Sequence, residues 1–317
     1  MTAPVLAIDI GGSKIAAALV ADDVVGDLSV VATPAQEGRD AIVEATVGLA
    51  REVIAAAGYP VSAVGISSAG IVEPGSGRIT HATDLLRGWA GTPLGDMIAR
   101  ELGLPVAVLN DVHAHGVGES LAGAATGCRS ALVVAVGTGI GGCLVVDGRP
   151  EVGSRGAAGH VGHVPVSEAA GVPCSCGRTG HLEGLASGSG VRAAFRRRTG
   201  RDLPTVDIAA LASASADDTD NQARSDAVAV LTEAGRATGR VIGGLLNVLD
   251  PEIVIVGGGM AAAGPAWREA IAEGVALEAM DVVAGTPLRY STSGPQAALL
   301  GAAHHARISL RPAEVTS

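Results

Sequence analysis

The sequence predicts an α/β protein built from two similar domains. Two observations support this prediction. Short apolar runs of β-strand character alternate with segments of helical periodicity, and one strand–turn–strand pattern occurs in both halves of the chain. The chain has 317 residues, of which 48% are hydrophobic, and this length suits two domains, or one large one, with ample core.

The repeated pattern is a pair of apolar runs joined by a glycine-rich turn. Its first copy is Leu6–Asp23, LAIDIGGSKIAAALVADD, and its second copy is Ala131–Gly148, ALVVAVGTGIGGCLVVDG. In both copies an Asp-containing turn follows the second run, and the whole pattern is typical of a β-hairpin. A supersecondary unit repeated in two halves suggests a duplicated domain with a cleft between the copies.

Helical patterns and short buried strands fill much of the remaining chain. The predicted helices are Asp40–Ala57, Thr92–Leu102 and Asp226–Leu249, and the further predicted strands are Pro105–Leu109 and Ile253–Val256. The segment Leu203–Ser225 is polar, rich in Ala, Ser and Asp, and weakly periodic. We expect it to be a surface excursion that forms one helix with mobile ends, and we assign it no function.

Charge and composition disfavour several kinds of partner. The formal net charge is −10, so phosphate backbones and anionic lipid surfaces repel the chain. Aromatic residues make up only 2% of the chain, which disfavours platforms for base stacking. Glycines interrupt the most apolar stretch before it reaches the ~18 residues of a membrane span, and a strand-like run, Val5–Ile10, stands where a signal peptide would lie. We therefore expect a cytoplasmic protein that binds neither nucleic acid nor membrane.

Two glycine-rich turns are candidate phosphate-binding elements. The first contains Asp9, Gly11, Gly12, Ser13 and Lys14, and the second contains Gly137, Thr138, Gly139 and Gly141. Glycine lets backbone N–H groups approach a phosphate closely, and a carboxylate at a strand end, such as Asp9, organises Mg²⁺ through water. For either turn alone, a tight hairpin turn without a ligand is the alternative. Two such turns in matching hairpins favour a two-sided phosphate clamp.

A third glycine-rich turn, formed by Gly257, Gly258 and Gly259, follows the predicted strand Ile253–Val256. A turn of this kind before a helix is suited to hold the adenosine or a phosphate of a nucleotide at the helix N-terminus. A dinucleotide site is the competing hypothesis. We discount it because the G-x-G-x-x-G spacing with an acidic residue about 20 positions on occurs nowhere else in the chain.

Asn110 and Asp111 close the predicted strand Pro105–Leu109. A carboxylate at the carboxyl end of a buried α/β strand points into the ligand crevice. The neighbouring amide offers a donor and an acceptor to sugar hydroxyls beside a potential base. The alternative is a helix N-cap pair for the segment that starts at Val112. The two roles are compatible.

His163, Cys174, Cys176 and His181 form a candidate metal site. The C-x-C-x₄-H spacing with a nearby histidine supplies four nitrogen and sulfur ligands, which suit a closed, structural Zn²⁺ site. Closely spaced cysteines in a reducing compartment favour a metal over a disulfide. The alternative is a pair of buried cysteines with solvated histidines.

These motifs, in this order, resemble the ROK family, which joins sugar kinases and sugar-responsive repressors. The likeness covers nearly the whole chain and is most specific over Gly153–Gly188, with GSRGAAGHVGH and CSCGRTGHLEGLASG. The resemblance implies two actin-like (ribonuclease H-like) α/β domains with ATP and sugar in an interdomain cleft. We expect residues 1–112 and 300–317 to form the small N-terminal domain, and residues 113–299 to form the larger domain with the zinc-binding loop.

The resemblance also implies roles for single residues. Asp111 is the expected catalytic base, and the expected sugar-binding residues are Asn110, His163 and Glu183. Both hairpin turns are expected to bind phosphate, and the third glycine turn is expected to bind adenosine. In the family the histidine equivalent to His163 joins three cysteines at zinc. The third of these is His181 here, which is a competent ligand. A family Asn at the sugar site falls on Asp84, which would alter contacts with the hydroxyls.

The residue at position 160 helps to predict which sugar is the substrate. Most family members have Glu at this position, in a Glu-x-Gly-His motif, whereas this chain has His160-Val-Gly-His163. The His-x-Gly-His form is similar to bacterial N-acetylmannosamine kinases of the family, as are AIDIGGSKIAAAL and CGRTG. We therefore predict phosphorylation of the 6-hydroxyl of an N-acetylhexosamine, N-acetylmannosamine foremost, with ATP, Mg²⁺ and structural Zn²⁺.

Other functions within the same resemblance stay open. A glucokinase or an N-acetylglucosamine kinase is the nearest alternative. A sugar-responsive repressor is less favoured, because the first phosphate motif begins at Asp9 and leaves no room before it for a DNA-binding module. A catalytically dead sugar-binding protein is disfavoured because Asp111 and both hairpin glycine turns are present. We expect a homo-oligomer, with a dimer as the expected state.

Overall fold

The computed structural model describes residues 3–215, 220–294 and 296–310. The chain divides into two compact units: unit 1 comprises Met1–Arg129, Cys143–Ala158 and Ser293–Ser317, and unit 2 comprises Ser130–Gly142 and Gly159–Thr292. The boundaries of these two units differ from those of the two domains predicted from the sequence. The predicted domain boundaries, after residues 112 and 299, stay a prediction.

Strands and helices alternate along the described chain, which confirms the predicted α/β class. The strands are β1 (Val5–Ile10), β2 (Lys14–Ala21), β3 (Val24–Val25), β4 (Ser29–Ala32), β5 (Ala63–Ser68), β6 (Ile71–Val72), β7 (Ile79–His81), β8 (Val106–Asn110), β9 (Ser130–Val136), β10 (Ile140–Val146), β11 (Arg149–Pro150), β12 (Ile253–Gly257) and β13 (Leu288–Tyr290). The helices are α1 (Arg39–Ala57), α2 (Leu94–Leu102), α3 (Asp111–Ala122), α4 (Leu182–Ala186), α5 (Gly188–Thr199), α6 (Thr205–Ser213), α7 (Asn221–Leu249), α8 (Pro265–Glu278) and α9 (Gln296–Ser309).

A six-stranded sheet forms the centre of unit 1, in the order β3-β2-β1-β5-β8, with β4 also paired to β2. The predicted first hairpin is confirmed, since β1 and β2 pair in antiparallel register. β1, β5 and β8 are parallel, and their register places Asp9 opposite Ser67 and Ser68 opposite Asn110. Because the carboxyl ends of parallel strands meet at one edge of a sheet, these side chains come together there.

Two apolar layers cover this sheet. One face packs against α1 and α2 through residues such as Ile8, Ile42 and Ile98. The other face packs against α9, where Leu299 and Ala303 join Val5 and Ala7 in a common cluster. The sheet therefore has helices on both faces, as parallel strands require when both faces are buried.

A second sheet has the order β11-β10-β9-β12-β13, and its strands β9, β12 and β13 run parallel. β9, β12, β13 and the start of β10 belong to unit 2. A three-residue connection, residues 137–139, joins β9 to β10, which matches the predicted second hairpin. The core of unit 2 includes Phe195 and Trp267, both fully buried.

The polar segment Leu203–Ser225 contains a complete helix and the start of a second, where the sequence predicted one helix. α6 occupies part of it, and α7 begins five residues before the predicted start because the Asp220 carboxylate accepts hydrogen bonds from the N–H groups of Gln222 and Ala223. Residues 216–219 of this segment lie outside the described residues. Across the described ranges, every helix is too short or too polar to cross a bilayer.

Candidate active site

Asp9 lies near the carboxyl end of β1 and faces the neighbouring strand β5. The Ser67 hydroxyl donates a hydrogen bond of 2.6 Å to Asp9 Oδ1. Burial raises the pKa of the Asp9 carboxyl, and this hydrogen bond and the positive charges of Lys14 and His115 act in the opposite direction. The arrangement provides a fixed carboxylate at the sheet edge, where a cation or a phosphate-bound Mg²⁺ would find an oxygen ligand.

Asn110 caps α3 and holds the next residue in place. Its Oδ1 accepts hydrogen bonds from the N–H groups of Val112 and His113, at 3.0 and 3.2 Å. Its Nδ2 donates to the Gly70 carbonyl at 2.9 Å and to Asp111 Oδ1 at 2.8 Å. Every donor and acceptor site of this amide is therefore in use within the protein. A direct contact between Asn110 and a sugar hydroxyl, which stays a prediction, requires one of these bonds to be exchanged.

Asp111 is the first residue of α3 and carries a strongly perturbed carboxylate. Burial raises its pKa from 3.8 to about 6, and the negative charge of Asp9 acts in the same direction. Hydrogen bonds from the Val112 N–H and the Asn110 amide lower it. A carboxylate with a pKa near 6 is largely ionised at neutral pH and accepts a proton more readily than an ordinary aspartate.

The first glycine turn follows β1 in unit 1. Gly11 N–H donates to the Lys14 carbonyl at 3.0 Å, and the Thr33 hydroxyl donates to the Gly11 carbonyl at 2.8 Å. A Cβ on Gly12 would lie 2.7 Å from Leu85 Cδ2, so any larger residue at position 12 would require the Leu85 side chain to move. Ser13 and Lys14 are exposed.

The second and third glycine turns lie side by side in unit 2. A Cβ on Gly137 would lie 3.9 Å from the backbone nitrogen of Gly259. Gly258 has φ 83°, and its Cβ would lie 2.3 Å from the Val136 carbonyl oxygen, so glycine is required there. The structure thus brings together two of the three predicted turns, although they are about 120 residues apart in the sequence.

Unit 2 also brings the four predicted metal ligands together. One ligand atom from each of His163, Cys174, Cys176 and His181 lies within 4.8 Å of all the others. Cys174 Sγ is 3.5 Å from His163 Nδ1, and Cys176 Sγ is 3.2 Å from His181 Nδ1. Ligand atoms on a tetrahedral Zn²⁺ are about 3.3–3.8 Å apart, given bond lengths of ~2.0–2.3 Å. The donor set suits a zinc ion, and the two short distances are close to those on a bound zinc.

The loop around this cluster is ordered by its own backbone. Gly177 N–H donates to the Cys174 carbonyl at 3.0 Å, and Cys174 N–H donates to the Arg178 carbonyl at 2.8 Å. Burial lowers the pKa of His163, which favours the neutral imidazole that a metal binds. The ring centre of His160 lies 6.1 Å from that of His163, and the two rings are nearly parallel.

Glu183 connects the metal cluster with the second glycine turn. Its Oε2 accepts a hydrogen bond of 2.8 Å from the backbone N–H of Ile140, and its Oε1 accepts one from the Ser175 hydroxyl. Ser175 lies between the two candidate cysteine ligands, and Ile140 begins β10. The family resemblance implies that Glu183 binds the sugar. Neither of these two hydrogen-bond partners was predicted, because no spacing in the sequence indicates them.

Within unit 1 the predicted residues Asp9, Asn110 and Asp111 share one sheet edge, and the first glycine turn follows the same strand as Asp9. Asp84 is exposed, in the segment that carries Leu85. Within unit 2, His163 is one of the four candidate metal ligands, His160 stacks on it, and Glu183 accepts a hydrogen bond from Ser175 of the same loop. Ser67 and Leu85 were not predicted, because their positions depend on contacts between distant parts of the chain.

The α/β fold, the glycine turns and the His/Cys cluster are together characteristic of one protein family. The ROK family model matches residues 5–308, and the chain belongs to this family. The resemblance drawn from the sequence motifs is therefore confirmed.

Two curated relatives show which activities accompany this sequence pattern. A glucokinase from Halalkalibacterium halodurans is 33% identical over 253 residues, covering 75% of this chain and 74% of the relative. An N-acetylmannosamine kinase from Citrobacter koseri is 32% identical over 302 residues, covering 95% of this chain and 93% of the relative.

A solved structure supports the predicted actin-like fold class. It is a ROK family glucokinase from Streptomyces griseus, determined in complex with glucose and AMPPNP. It is 28% identical to this chain, has a TM-score of 0.77, and the match covers 96% of this chain and 99% of that one. AMPPNP is a non-hydrolysable stand-in for ATP, with nitrogen in place of the β–γ bridging oxygen.

Proposed function

We propose that this protein transfers the γ-phosphate of ATP to the 6-hydroxyl of an N-acetylated hexosamine, with N-acetylmannosamine as the preferred acceptor. The broader activity is that of an ATP-dependent sugar kinase, in accord with membership of the ROK family and with its kinase relatives. The observation that carries the proposed chemistry is Asp111, a carboxylate whose pKa is raised to about 6 at a strand end beside Asp9.

Asp111 is the general base in the proposed reaction. It accepts the hydroxyl proton of the sugar as the hydroxyl oxygen attacks the γ-phosphorus in line with the departing ADP. A base is most effective when its pKa lies near the operating pH, and burial brings Asp111 toward that range. The hydrogen bond from Asn110 Nδ2 fixes the orientation of the carboxylate.

The glycine turns are the proposed phosphate-binding elements. The adjacent turns at Gly137 and Gly259 in unit 2 offer backbone N–H groups to a nucleotide, and the turn at Gly12 in unit 1 offers further N–H groups. Asp9, held by Ser67, is the proposed carboxylate for Mg²⁺. When bound, Mg²⁺ offsets negative charge on the phosphates.

Zinc is proposed as a structural ion, held by His163, Cys174, Cys176 and His181. The support is the convergence of four suitable ligand atoms within 4.8 Å. Bound there, zinc would fix the loop whose Ser175 donates to Glu183. The ion takes no part in the proposed reaction.

The substrate preference rests on His160. Its ring stacks on that of His163 in the region proposed to bind the sugar. A neutral imidazole can donate a hydrogen bond to an N-acetyl carbonyl, whereas an ionised Glu cannot. The N-acetylmannosamine kinase relative, which matches 95% of this chain, favours the same substrate.

A coupled assay of ADP release tests the proposal. The panel is N-acetylmannosamine, N-acetylglucosamine, mannose and glucose at one pH, with a no-sugar control. We expect the highest kcat/KM for N-acetylmannosamine. A preference for glucose, which the glucokinase relative at 33% identity makes the second candidate, would reject the substrate while leaving the kinase activity in place. No turnover with any hexose would reject both.

Two further expectations stay predictions. A homodimer is to be tested by light scattering of the purified protein, and the cytoplasmic location is to be tested by fractionation.

A further inference from the structure

Leu85 is an exposed apolar side chain that lies against the first glycine turn. It is 51% exposed, yet its Cδ2 lies 2.7 Å and its Cγ 2.9 Å from the position of a Cβ on Gly12. The next residue, Leu86, is only 2% exposed and belongs to the core of unit 1. Burial in that core therefore explains why an apolar residue stands at Leu86. It does not explain why an apolar residue also stands at the exposed position Leu85.

The segment that carries Leu85 runs between the candidate base and the glycine turn. Asn110 Nδ2 donates to the Gly70 carbonyl, beside Asp111. A Cβ on Gly70 would lie 2.7 Å from the His81 carbonyl oxygen and 3.4 Å from Ala82 Cβ. From there the chain continues to Leu85, which touches Gly12.

The far end of this segment is also fixed. Arg87 N–H donates to the Ala35 carbonyl at 2.8 Å, and the Trp89 indole N–H donates to the Ser68 hydroxyl at 3.1 Å. The backbone on both sides of Leu85 is thus tied to unit 1. The Leu85 side chain is therefore held over the glycine turn by its surroundings.

We propose that Leu85 is a specificity-determining residue that keeps water from replacing the sugar hydroxyl at the phosphoryl-transfer site. The inference rests on the proposed kinase function. An aliphatic side chain offers no hydrogen bond with which to hold a water molecule beside the phosphate, and the volume that Leu85 fills beside Gly12 is closed to water.

The two competing reactions differ only in the acceptor. In transfer, the sugar O6 forms the new bond to the γ-phosphorus, the bond to the ADP oxygen breaks, and Asp111 takes the hydroxyl proton. In hydrolysis, a water oxygen forms that bond instead, and the products are ADP and inorganic phosphate. Both reactions use the same phosphate site and the same base. Because Leu85 excludes water and not the sugar, it lowers the ratio of hydrolysis to transfer.

The test compares Leu85→Ala with a matched control. Leu28→Ala is the control because Leu28 is also an exposed leucine of unit 1, at 42% exposed, and has no part in the glycine turns or the sheet edge described above. ADP release is measured without sugar and with saturating sugar, and inorganic phosphate is measured in both.

We expect Leu85→Ala to raise the ratio of hydrolysis to transfer roughly tenfold, and Leu28→Ala to leave it unchanged. Leu85→Met should restore most of the wild-type ratio, because it restores apolar volume.

Three outcomes would overturn the proposal: an unchanged ratio in Leu85→Ala, an equal loss of both reactions, or the same rise in Leu28→Ala. Equal loss would indicate only a structural role for the side chain. Transfer is measured with whichever sugar of the panel the wild-type protein phosphorylates best, so an error in the proposed substrate does not affect the ratio. If the wild-type protein phosphorylates no sugar, the proposed function fails by a separate result.

Discussion

Glu183 accepts a hydrogen bond of 2.8 Å from the backbone N–H of Ile140, across 43 residues of sequence. Its second carboxylate oxygen accepts from the Ser175 hydroxyl, between the two cysteines of the metal cluster. A single side chain therefore fixes the distance between the second glycine turn and the proposed zinc loop. We infer that the glycine turn and the metal cluster are positioned together.

Replacing Glu183 by Ala should loosen both elements at once. The Ile140 N–H would lose its partner, and an unsatisfied backbone group costs about 1–3 kcal/mol when it is shielded from water. We expect a lower Tm and raised KM values for both ATP and sugar. Glu183→Gln should retain much of the stability, because the amide oxygen can accept from Ile140. Glu269→Ala, an exposed residue of the same unit, is the control. Unchanged Tm and KM in Glu183→Ala would contradict the prediction.

Asp111→Asn should remove most turnover and leave sugar affinity largely intact. The amide cannot accept the hydroxyl proton, and removal of a general base lowers kcat by at least ~10²-fold. Asn has nearly the same shape and can still accept from the Val112 N–H that bonds the carboxylate. Steady-state kinetics and calorimetric sugar binding on the same preparation separate the two effects. A variant with near-wild-type kcat would exclude Asp111 as the base.

The raised pKa of Asp111 predicts opposite pH dependences for activity and stability. The base works when deprotonated, so kcat/KM should rise as the pH increases through about 6. The folded state binds this proton more tightly than the unfolded state, in which the pKa is near 3.8, so the contribution to stability falls as the pH increases from about 3.8 to about 6. The Tm difference between wild type and Asp111→Asn should change across this window. An activity profile that is flat between pH 5 and pH 7, roughly one unit on either side of that pKa, would contradict the assignment.

Zinc content is the direct test of the His/Cys cluster. Protein purified without a histidine tag should contain about one zinc per chain by elemental analysis. Cys176→Ala should lose the metal and lower the Tm, whereas Cys128→Ala, outside the cluster, should retain it. His181→Cys exchanges one competent ligand for another and should also retain it. A metal-free wild-type protein with full stability and activity would rule out the site.

His160→Glu should move the substrate preference from N-acetylmannosamine toward glucose. A carboxylate accepts hydrogen bonds from sugar hydroxyls but cannot donate to an N-acetyl carbonyl. One gained or lost polar contact of this kind corresponds to about ten- to a hundred-fold in the ratio of kcat/KM values. His160→Gln retains a neutral donor and should shift the ratio less. If both variants keep the wild-type ratio, His160 only packs against His163.

Much of this architecture follows from local sequence signals. The hairpin at Leu6–Asp23 is visible because apolar runs flank a glycine turn, and α1 lies within one residue of its predicted start because its apolar spacing is regular. The metal cluster was predictable because three of its ligands lie within eight residues, from Cys174 to His181. Signals of this kind depend on neighbours along the chain.

Contacts between distant segments could not be predicted. The bond from Ser67 to Asp9 depends on the parallel register of β1 and β5, which no local pattern specifies. Gly12 was expected to be glycine so that phosphate could approach, but the structure adds a steric reason, the Leu85 side chain. The earlier start of α7 could have been found, since Asp220 is an ordinary capping residue.

The separated segments of unit 1 determine the order in which the protein can be completed during synthesis. α9, from the last tenth of the chain, covers Val5 and Ala7 of β1, and Arg307 pairs with Asp23 at 2.7 Å. Until the ribosome has released α9, one face of the first strand stays uncovered, while nearly all residues of unit 2 have already emerged. One apolar face of the unit 1 sheet therefore stays uncovered through most of the synthesis of the chain, and uncovered apolar surface of this kind favours aggregation.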